Sequence, residues 1–568
     1  MEEKIYYNGS IITMAERGQK GRPDDDSRAE KYGRSDQRGQ AEAVLVQDGI
    51  IKYAGSLTEA EAMASGGVRY EDLKGRTMLP GFIDGHSHIT ALASTLGLVN
   101  LSGVKNFDEI LERFREFIKK KRPEKGRWLM GFGYDHNFLE EKRHPDKFVL
   151  DRLGDDYAAA VTHTSGHMGV LNSRALREAG IDAGTKDIPG GYIGRAKGSM
   201  EPDGYLEENA FIQLGAGKMP KPDKSQLIAQ LIEAQRIYFS HGITTIQDGL
   251  TKGPEWQMLK MFSDSGEMTA DIAAYADIKD NSFLVDENPD YVDKYKNHLK
   301  IGGYKLFLDG SPQGRTAWLS RPYQSAEDSE REDESGYCGY PIYKDEQVVG
   351  YMKKAIGEHR QILVHCNGDA AAQQMISAYK KALAESGAED KAGNIRPVMI
   401  HAQLTRHDQL KEMAAIGMMA SFFIAHTYYW GDIHLKNLGR ERAEQISSAH
   451  TAGKESVIYT FHQDTPVIAP DMLETIWCAV SRITRGGKLI GKDEKISVKD
   501  ALKAVTINGA YQYFEEKEKG SIEAGKKADF VILDKNPLEV RPEDIKKIRV
   551  MKTIKDGRTV FENENTAG

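Results

Sequence analysis

The sequence predicts an α/β fold, a (β/α)8 TIM-like barrel to which the two ends of the chain add a small β-domain. Ten short apolar segments in the middle of the chain alternate with segments of helical periodicity, a pattern typical of a parallel sheet with helices outside it. Strand pairs with Asp-Gly turns lie near the two termini, at residues 43–53 and 550–560. The strands of both ends can therefore meet in one domain.

The domain bounds follow from these segments. Residues 1–76 and 512–568 form the terminal β-domain, in which the polar stretch 16–40 is too poor in apolar residues to order itself and is predicted to be a disordered loop. Residues 77–511 form the barrel domain.

Ten strand candidates are two more than a barrel needs. The second and third, residues 128–133 and 158–163, are therefore assigned to an insertion after barrel strand 1, at about residues 101–231, whose Gly-rich stretch suggests loops that reach over a pocket. The eight barrel candidates are residues 77–84, 243–248, 271–276, 304–309, 362–365, 398–401, 418–424 and 457–462.

Composition excludes several classes of function. The 568 residues are 40% hydrophobic and 29% charged with a net charge of -8, as in a soluble globular protein, and no basic patch suggests nucleic acid. The first residues lack the basic and apolar regions of a signal peptide, and no run approaches the roughly 18 apolar residues of a membrane span. We expect a cytoplasmic protein that acts on a small molecule, without nucleic-acid or membrane partners.

Two histidines one residue apart follow the first barrel candidate. On a strand, residues i and i+2 share a face, so His86 and His88 can bind one divalent metal from one side. Alone, such a pair is more often two surface histidines at a strand end than a metal site. However, polar residues also lie near the ends of four later barrel candidates, and the carboxyl ends of barrel strands meet at one face. These residues are Lys305, His365, His401 and Asp464.

The chain resembles the amidohydrolase superfamily of metal-dependent hydrolases over nearly its whole length. Three stretches carry the resemblance: the strand 1 signature at residues 79–88, the tail at residues 519–534, and residues 304–311 with 315–317. The third is similar to the branch called amidohydrolase family 3, which includes N-substituted formamide deformylases. The resemblance implies a barrel joined to a β-sandwich domain, a divalent metal site at the six residues just named, and a homodimer as a habit of the superfamily.

Lys305 stands out among these residues because an ammonium group repels a metal ion. In many members of the superfamily the strand 4 lysine reacts with carbon dioxide, and the resulting carbamate bridges two metals. Burial lowers the pKa of a lysine and supplies the neutral amine that this reaction needs. The alternative is a lysine that extends to the barrel mouth or contacts the substrate.

Asp464 matches the strand 8 aspartate of the family and is interpreted as both a metal ligand and the general base. A divalent metal lowers the pKa of a water molecule, and the carboxylate accepts the proton and passes it to the departing amine. A structural aspartate that caps the following turn is the alternative. Gln463 and Ile400 replace the Ser and Glu that the family commonly has at these positions, which can alter hydrogen bonding around the ligands.

Further candidates concern the substrate. His167 matches a Ser-Gly-His element of the branch and is the catalytic candidate for binding a substrate carbonyl or its developing oxyanion, with a structural loop role as the alternative. His426 and Trp430 belong to an aromatic loop after strand 7 that either forms a pocket wall or packs in the core. The other substrate-binding candidates match elements of the branch, and they are Asp135, Glu208 and Arg315.

The leading hypothesis is hydrolysis of a carbon–nitrogen bond outside peptides, in an amide, formamide or cyclic amide. One or two divalent metals per subunit are expected, with zinc favoured, and a carbamylated Lys305 bridges them if there are two. Deamination, lactone hydrolysis and isomerisation at the same site stay open, as does a noncatalytic regulatory protein on the same fold. All expected ligand positions are filled, which favours an enzyme.

Overall fold

The computed structural model describes residues 2–15, 39–136, 138–163, 167–189, 191–215, 218, 223–324, 336–388 and 393–563. The chain forms two compact units, Met1–Thr90 with Ala234–Gly568, and Ala91–Glu233. The predicted disordered loop at residues 16–40 lies outside the described residues except for Gly39 and Gln40.

A parallel sheet of eight strands is the centre of the first unit, within the part of the chain that the structure describes. Each strand pairs with the next in chain order. Gly85, just after strand 1, donates its N–H to Phe461 O in strand 8 at 3.3 Å, so the two edges of the sheet meet. Barrel strands 1 to 8 are Phe82–Ile83, Ile243–Thr251, Asp271–Asp277, Leu299–Phe307, Gln361–Cys366, Val398–His401, Met419–Phe422 and Tyr459–Phe461.

The predicted TIM-like barrel is confirmed, with one difference in its first strand. Residues 77–84 do not form a single strand: Thr77–Pro80 pairs antiparallel with Phe530–Leu533 in the terminal domain, and only Phe82–Ile83 joins the barrel. Pro80 has no N–H to donate, and the N–H of Gly81 bonds to Asp529 O, so pairing with the barrel begins one residue later.

The terminal domain is a β-sandwich built from both ends of the chain, as predicted. Its two sheets share an apolar core that includes Tyr6 and Val44 from one sheet and Phe530 and Met551 from the other. One sheet has the order Ile50–Gly55, Ala43–Gln47, Glu3–Tyr7, Arg69–Asp72, and the other Arg558–Glu562, Val550–Lys555, Phe530–Leu533, Thr77–Pro80, Ser10–Ile12, Gln40–Ala41.

The two Asp-Gly turns form tight hairpins in this domain. Asp48 and Gly49 have φ of 49° and 80°, and Asp556 and Gly557 have φ of 49° and 74°. Positive φ at both central residues is the geometry of a type I′ turn, which matches the twist of the flanking strands. A Cβ atom on Gly49 would lie 2.7 Å from Asp556 O, so the glycine also lets the two turns pack together.

Helices follow most barrel strands, as the helical periodicity predicts. Several begin with a side-chain cap; for example, Asp471 accepts a hydrogen bond from Glu474 N at the start of Met472–Ser481. Helices of four or more residues in the first unit are Leu57–Met63, Gly253–Asp264, Phe283–Glu287, Asp345–Gly357, Asp369–Glu385, His407–Ala415, His426–Tyr429, Gly431–Ala443, Ala449–Lys454, Met472–Ser481, Val498–Ala504, Ile507–Gln512 and the 3-10 helix Pro542–Lys547.

The second unit, which contains the two strand candidates that the sequence assigns to an insertion, has a sheet of its own. Two apolar clusters cover this sheet, one around Phe114 and one around Leu206. Its strand order is Gly191–Arg195, Pro202–Glu208, Met168–Leu171, Ala158–His163, Trp128–Tyr134, Val99–Asn100. Its helices are Phe107–Lys121, Lys147–Asp151, Ser173–Ala179 and the π-helix Ala210–Gly215, and Ile89–Leu96 and Lys224–Ser240 span the boundaries between the units.

Among the described residues, no helix combines the length and the apolar character that crossing a membrane requires.

A buried group of charges joins the barrel to the terminal strands. Asp271, at the start of barrel strand 3, is fully buried and lies 3.2 Å from Lys555 Nζ and 3.3 Å from Lys527 Nζ, with Lys519 Nζ also in contact. Burial alone would raise the pKa of Asp271, but the ammonium groups outweigh it and hold the pKa well below its ordinary value. The carboxylate therefore stays charged and compensates the buried lysines.

Replacing Asp271 by Asn should destabilise the protein by about 3–5 kcal/mol, because it leaves buried ammonium groups without their shared partner. The free energy of unfolding in urea measures this loss. Asp290→Asn is the matched control, since Asp290 pairs with Lys296 at 3.1 Å on the surface and should contribute less than about 1 kcal/mol. Equal losses for the two variants would contradict the role of Asp271.

Candidate metal centre

The carboxyl ends of barrel strands 1, 4, 5, 6 and 8 bring seven polar side chains together, and we call this group the barrel cluster. Four of its members are almost fully buried, and the rest are accessible only in part. Six were predicted from the sequence. The members are His86, His88, Lys305, His365, His401, His462 and Asp464.

Asp464 faces the two histidines of the first strand. Its Oδ1 atom lies 3.4 Å from His86 Nε2 and 3.2 Å from His88 Nε2. Zinc with ligand bonds of about 2.0–2.1 Å in a tetrahedron places its donors about 3.3 Å apart. Asp464 Oδ1 is also buried and lies between the two rings. These three residues fit a divalent cation.

Electrostatics keep Asp464 ionised. Burial by itself raises the pKa of this carboxyl, but the surrounding imidazole rings, with His88 foremost, outweigh it and bring the pKa well below its ordinary value. Burial lowers the pKa of His86 well below its ordinary value, and the nearby Lys305 lowers it further. A carboxylate and neutral imidazoles are the protonation states that bind metal.

Gln247, on barrel strand 2, orients His86. Its Oε1 atom lies 2.5 Å from His86 Nδ1, while its Nε2 atom donates to Gly85 O at 3.1 Å and to the Tyr513 hydroxyl at 2.8 Å. The amide oxygen must therefore face the ring, which places the proton of His86 on Nδ1. The Nε2 atom of His86 keeps its lone pair and points toward Asp464. Sequence analysis missed Gln247, because only the fold brings it to His86.

Lys305 lies inside the barrel with its Nζ atom 3.1 Å from His86 Nε2. Its side chain is fully buried, and this burial lowers its pKa to about 7. A large share of neutral amine is therefore present near neutral pH. This is the form that can react with carbon dioxide or approach a cation.

His365, His401 and His462 form a chain of contacting rings. His365 Nε2 lies 3.2 Å from Gly310 O, and its Nδ1 faces His401 Nε2 at 3.0 Å. His401 Nδ1 lies 3.1 Å from His462 Nε2. Burial lowers the pKa of His365 to about 4 and that of His462 to about 3, so both rings are neutral.

His462 is a member of the cluster that sequence analysis missed. It closes the segment 457–462, predicted as strand 8, and a histidine at the carboxyl end of a barrel strand is the same signal that identified His365 and His401. The metal-ligand role at the end of strand 8 was assigned to Asp464, two residues later, and His462 was not considered. Ser421 Oγ, 2.9 Å from His462 Nδ1, fixes the ring from strand 7.

An aromatic wall lies beside the cluster. The ring of Phe423 is 5.3 Å from that of His462, 4.5 Å from that of His426 and 6.0 Å from that of Trp430, between centroids. His426 Nδ1 also lies 3.2 Å from His434 Nε2. The structure thus brings the predicted residues His426 and Trp430 to the neighbourhood of the metal ligands, with Phe423 between them.

Each of the remaining predicted residues has contacts within its own unit. The guanidinium of Arg315 packs 5.6 Å from the ring centroid of Tyr323, in the segment after barrel strand 4. In the insertion, His167 Nδ1 pairs with Glu208 Oε2 at 3.0 Å, and both side chains are exposed. Asp135 lies beside His163 instead, 3.5 Å from its Nε2 atom. Substrate contact by these residues stays a prediction.

Comparison with known proteins shows relatives along the whole chain. The amidohydrolase family matches residues 69–561. YtcJ of Bacillus subtilis (strain 168) is 26% identical over 580 residues, 98% of this chain and 99% of that protein. The N-substituted formamide deformylase of Arthrobacter pascens is 26% identical over 540 residues, 92% of this chain and 95% of that protein.

A solved structure, that of an uncharacterized metal-dependent hydrolase from Pyrococcus horikoshii OT3, shares the fold. Its TM-score is 0.71 at 24% identity, and the match covers 95% of this chain and 99% of that one.

Replacing Gln247 by Leu should weaken metal binding about 10–100-fold, because His86 loses the hydrogen bond that sets its tautomer and orientation. Titration of the metal-free protein with zinc in a competing chelator measures the affinity. Gln512→Leu is the matched control, since Gln512 donates to the same Gly85 O at 2.7 Å. An affinity loss as large in the control would show that Gln247 acts through backbone support alone.

Proposed function

The chain belongs to the amidohydrolase family of metal-dependent hydrolases, and we propose that it hydrolyses a carbon–nitrogen bond outside peptides. The observation that carries this proposal is Asp464, a carboxylate whose buried Oδ1 atom lies between His86 and His88. A base held at a cation site can take a proton from water and return it to a leaving amine, which is what amide hydrolysis requires.

One or two divalent cations are proposed for the barrel cluster. His86, His88 and Asp464 would hold the first, and His365 with His401 a second, through nitrogens 3.0 Å apart. When bound, such an ion lowers the pKa of a water molecule and polarises a carbonyl group. Imidazole and carboxylate donors favour zinc. A carbamylated Lys305 is the proposed bridge if two ions are present.

Separate residues of the chain have separate roles in the proposed reaction. Gln247 orients His86, the barrel walls exclude bulk water from Lys305 and His401, and Asp464 holds and moves the proton. In the wall formed by Phe423, His426 and Trp430, the first two are buried, and the half-buried Trp430 is the member that would contact the substituent of an amide or formamide nitrogen. A relative is named N-substituted formamide deformylase, which supports that choice of bond.

Replacing Asp464 by Asn should lower kcat about 10²–10⁴-fold, because the amide cannot accept the proton. The other ligands should retain most of the metal. A panel of N-substituted formamides, amides and cyclic amides, assayed for release of amine, acid and ammonia, supplies the substrate and separates amide hydrolysis from deamination.

The control is Asp264→Asn, a surface residue paired with Lys260 at 2.9 Å, which should leave kcat unchanged. Undiminished turnover by the Asp464 variant would overturn the role of this residue. Absence of amine or acid release from the whole panel would turn attention to lactones and isomerisation.

Replacing Lys305 by Met should remove one metal ion per chain relative to the unmodified protein, because a two-ion site loses its bridge. Elemental mass spectrometry on the metal-replete protein measures the change. Native peptides that contain Lys305 should carry the mass of one carbon dioxide. Lys300→Met is the control for a buried lysine on the same strand, paired with Glu515. An unmodified Lys305 and an unchanged metal content would indicate a single ion with Lys305 near the substrate.

A further inference from the structure

A second group of metal-ligating side chains lies in the insertion, at the carboxyl ends of two parallel strands. Trp128–Tyr134 and Ala158–His163 pair in parallel, with Tyr134 opposite His163. Asp135 and His136 directly follow the first strand, and His163 ends the second. Because parallel neighbours end at the same edge of a sheet, the three side chains converge there.

Their spacing matches a tetrahedral cation site. His136 Nδ1 lies 3.4 Å from His163 Nε2, and Asp135 Oδ1 lies 3.5 Å from His163 Nε2 and 3.9 Å from His136 Nδ1. Donors around zinc in a tetrahedron are about 3.3 Å apart. In the barrel cluster, Asp464 Oδ1 lies at similar distances, 3.4 Å and 3.2 Å, from the Nε2 atoms of His86 and His88.

The surroundings hold the ligands in place and leave them accessible. The ring of His144 lies 4.0 Å from that of His136, and the Tyr134 hydroxyl lies 3.0 Å from His144 Nδ1, so the loop that carries His144 is tied to the strand end. The side chain of His163 is 8% exposed, whereas those of His136 and Asp135 are 28% and 24% exposed. An ion can therefore enter from solvent and contact a largely buried ligand.

We propose that Asp135, His136 and His163 bind a divalent transition-metal ion, zinc or an ion of similar preference, in addition to the metal of the barrel cluster. Two imidazoles and one carboxylate suit zinc, cobalt or nickel, whereas calcium and magnesium prefer oxygen ligands throughout. Three protein ligands leave one tetrahedral position for water or for a donor group of a small molecule. Without an ion, the same residues would form only a hydrogen-bonded cluster.

Metal content of the full chain tests this site. The protein is stripped with a chelator, dialysed against zinc and passed through a desalting column, and the zinc per chain is measured by elemental mass spectrometry. His163→Gln and Asp135→Asn should each lower the content by one ion per chain relative to the unmodified protein. With cobalt in place of zinc, the same variants should lose part of the visible absorption of tetrahedral cobalt.

His167→Gln is the control, because His167 lies in the same insertion but pairs with Glu208 at 3.0 Å, and it should leave the zinc content unchanged. His136→Gln, at a more exposed position, serves if the His163 variant does not fold by circular dichroism. A His88→Ala variant should keep the zinc of the insertion. Unchanged zinc and cobalt spectra in all three insertion-site variants would overturn the proposal.

Discussion

The contact between barrel strands 1 and 8 at Gly85 is the constraint on which the metal centre depends. A Cβ atom at this position would lie 2.6 Å from Thr460 Oγ1 and 2.9 Å from Phe461 O, so any other residue would push the two strands apart. His88 N–H then donates to Thr465 O at 2.9 Å. Strand 1 delivers both of its histidines to Asp464 because the barrel closes at this point.

Burial sets the protonation states of the ligands without a bound cation. The centre of the barrel cluster is buried, which favours the neutral forms of His365, His462 and Lys305 and lowers the pKa of each. The contact with His88 is the largest of the effects that outweigh burial and keep the pKa of Asp464 low. A divalent cation would stabilise a cluster that has one charged carboxylate and several neutral nitrogens, because the ion balances the buried negative charge.

Apolar periodicity made the barrel predictable, because each buried strand is a short hydrophobic run that ends in a polar residue. The limits of prediction from apolar periodicity also have physical causes. The run 77–84 looks continuous in sequence, although Pro80 and Gly81 divide it between two sheets. Gln247 lies 161 residues from His86, so no local pattern could connect them. Ligand positions at strand ends and two strands of the insertion could be predicted, whereas the hydrogen bonds that orient the ligands, and the other strands of the insertion's sheet, required the fold.

The two extra strand candidates in the sequence and the group formed by Asp135, His136 and His163 have the same structural origin. Trp128–Tyr134 and Ala158–His163 compete with true barrel strands in the sequence because they too are apolar, parallel and followed by ligand-type side chains. Parallel pairing aligns strand ends at one edge, where side chains are no longer committed to the core and can face each other. His163 in the insertion and His401 in the barrel each end such a strand. One geometric rule therefore accounts both for the ambiguity in the strand count and for the convergence of histidines at two places in the chain.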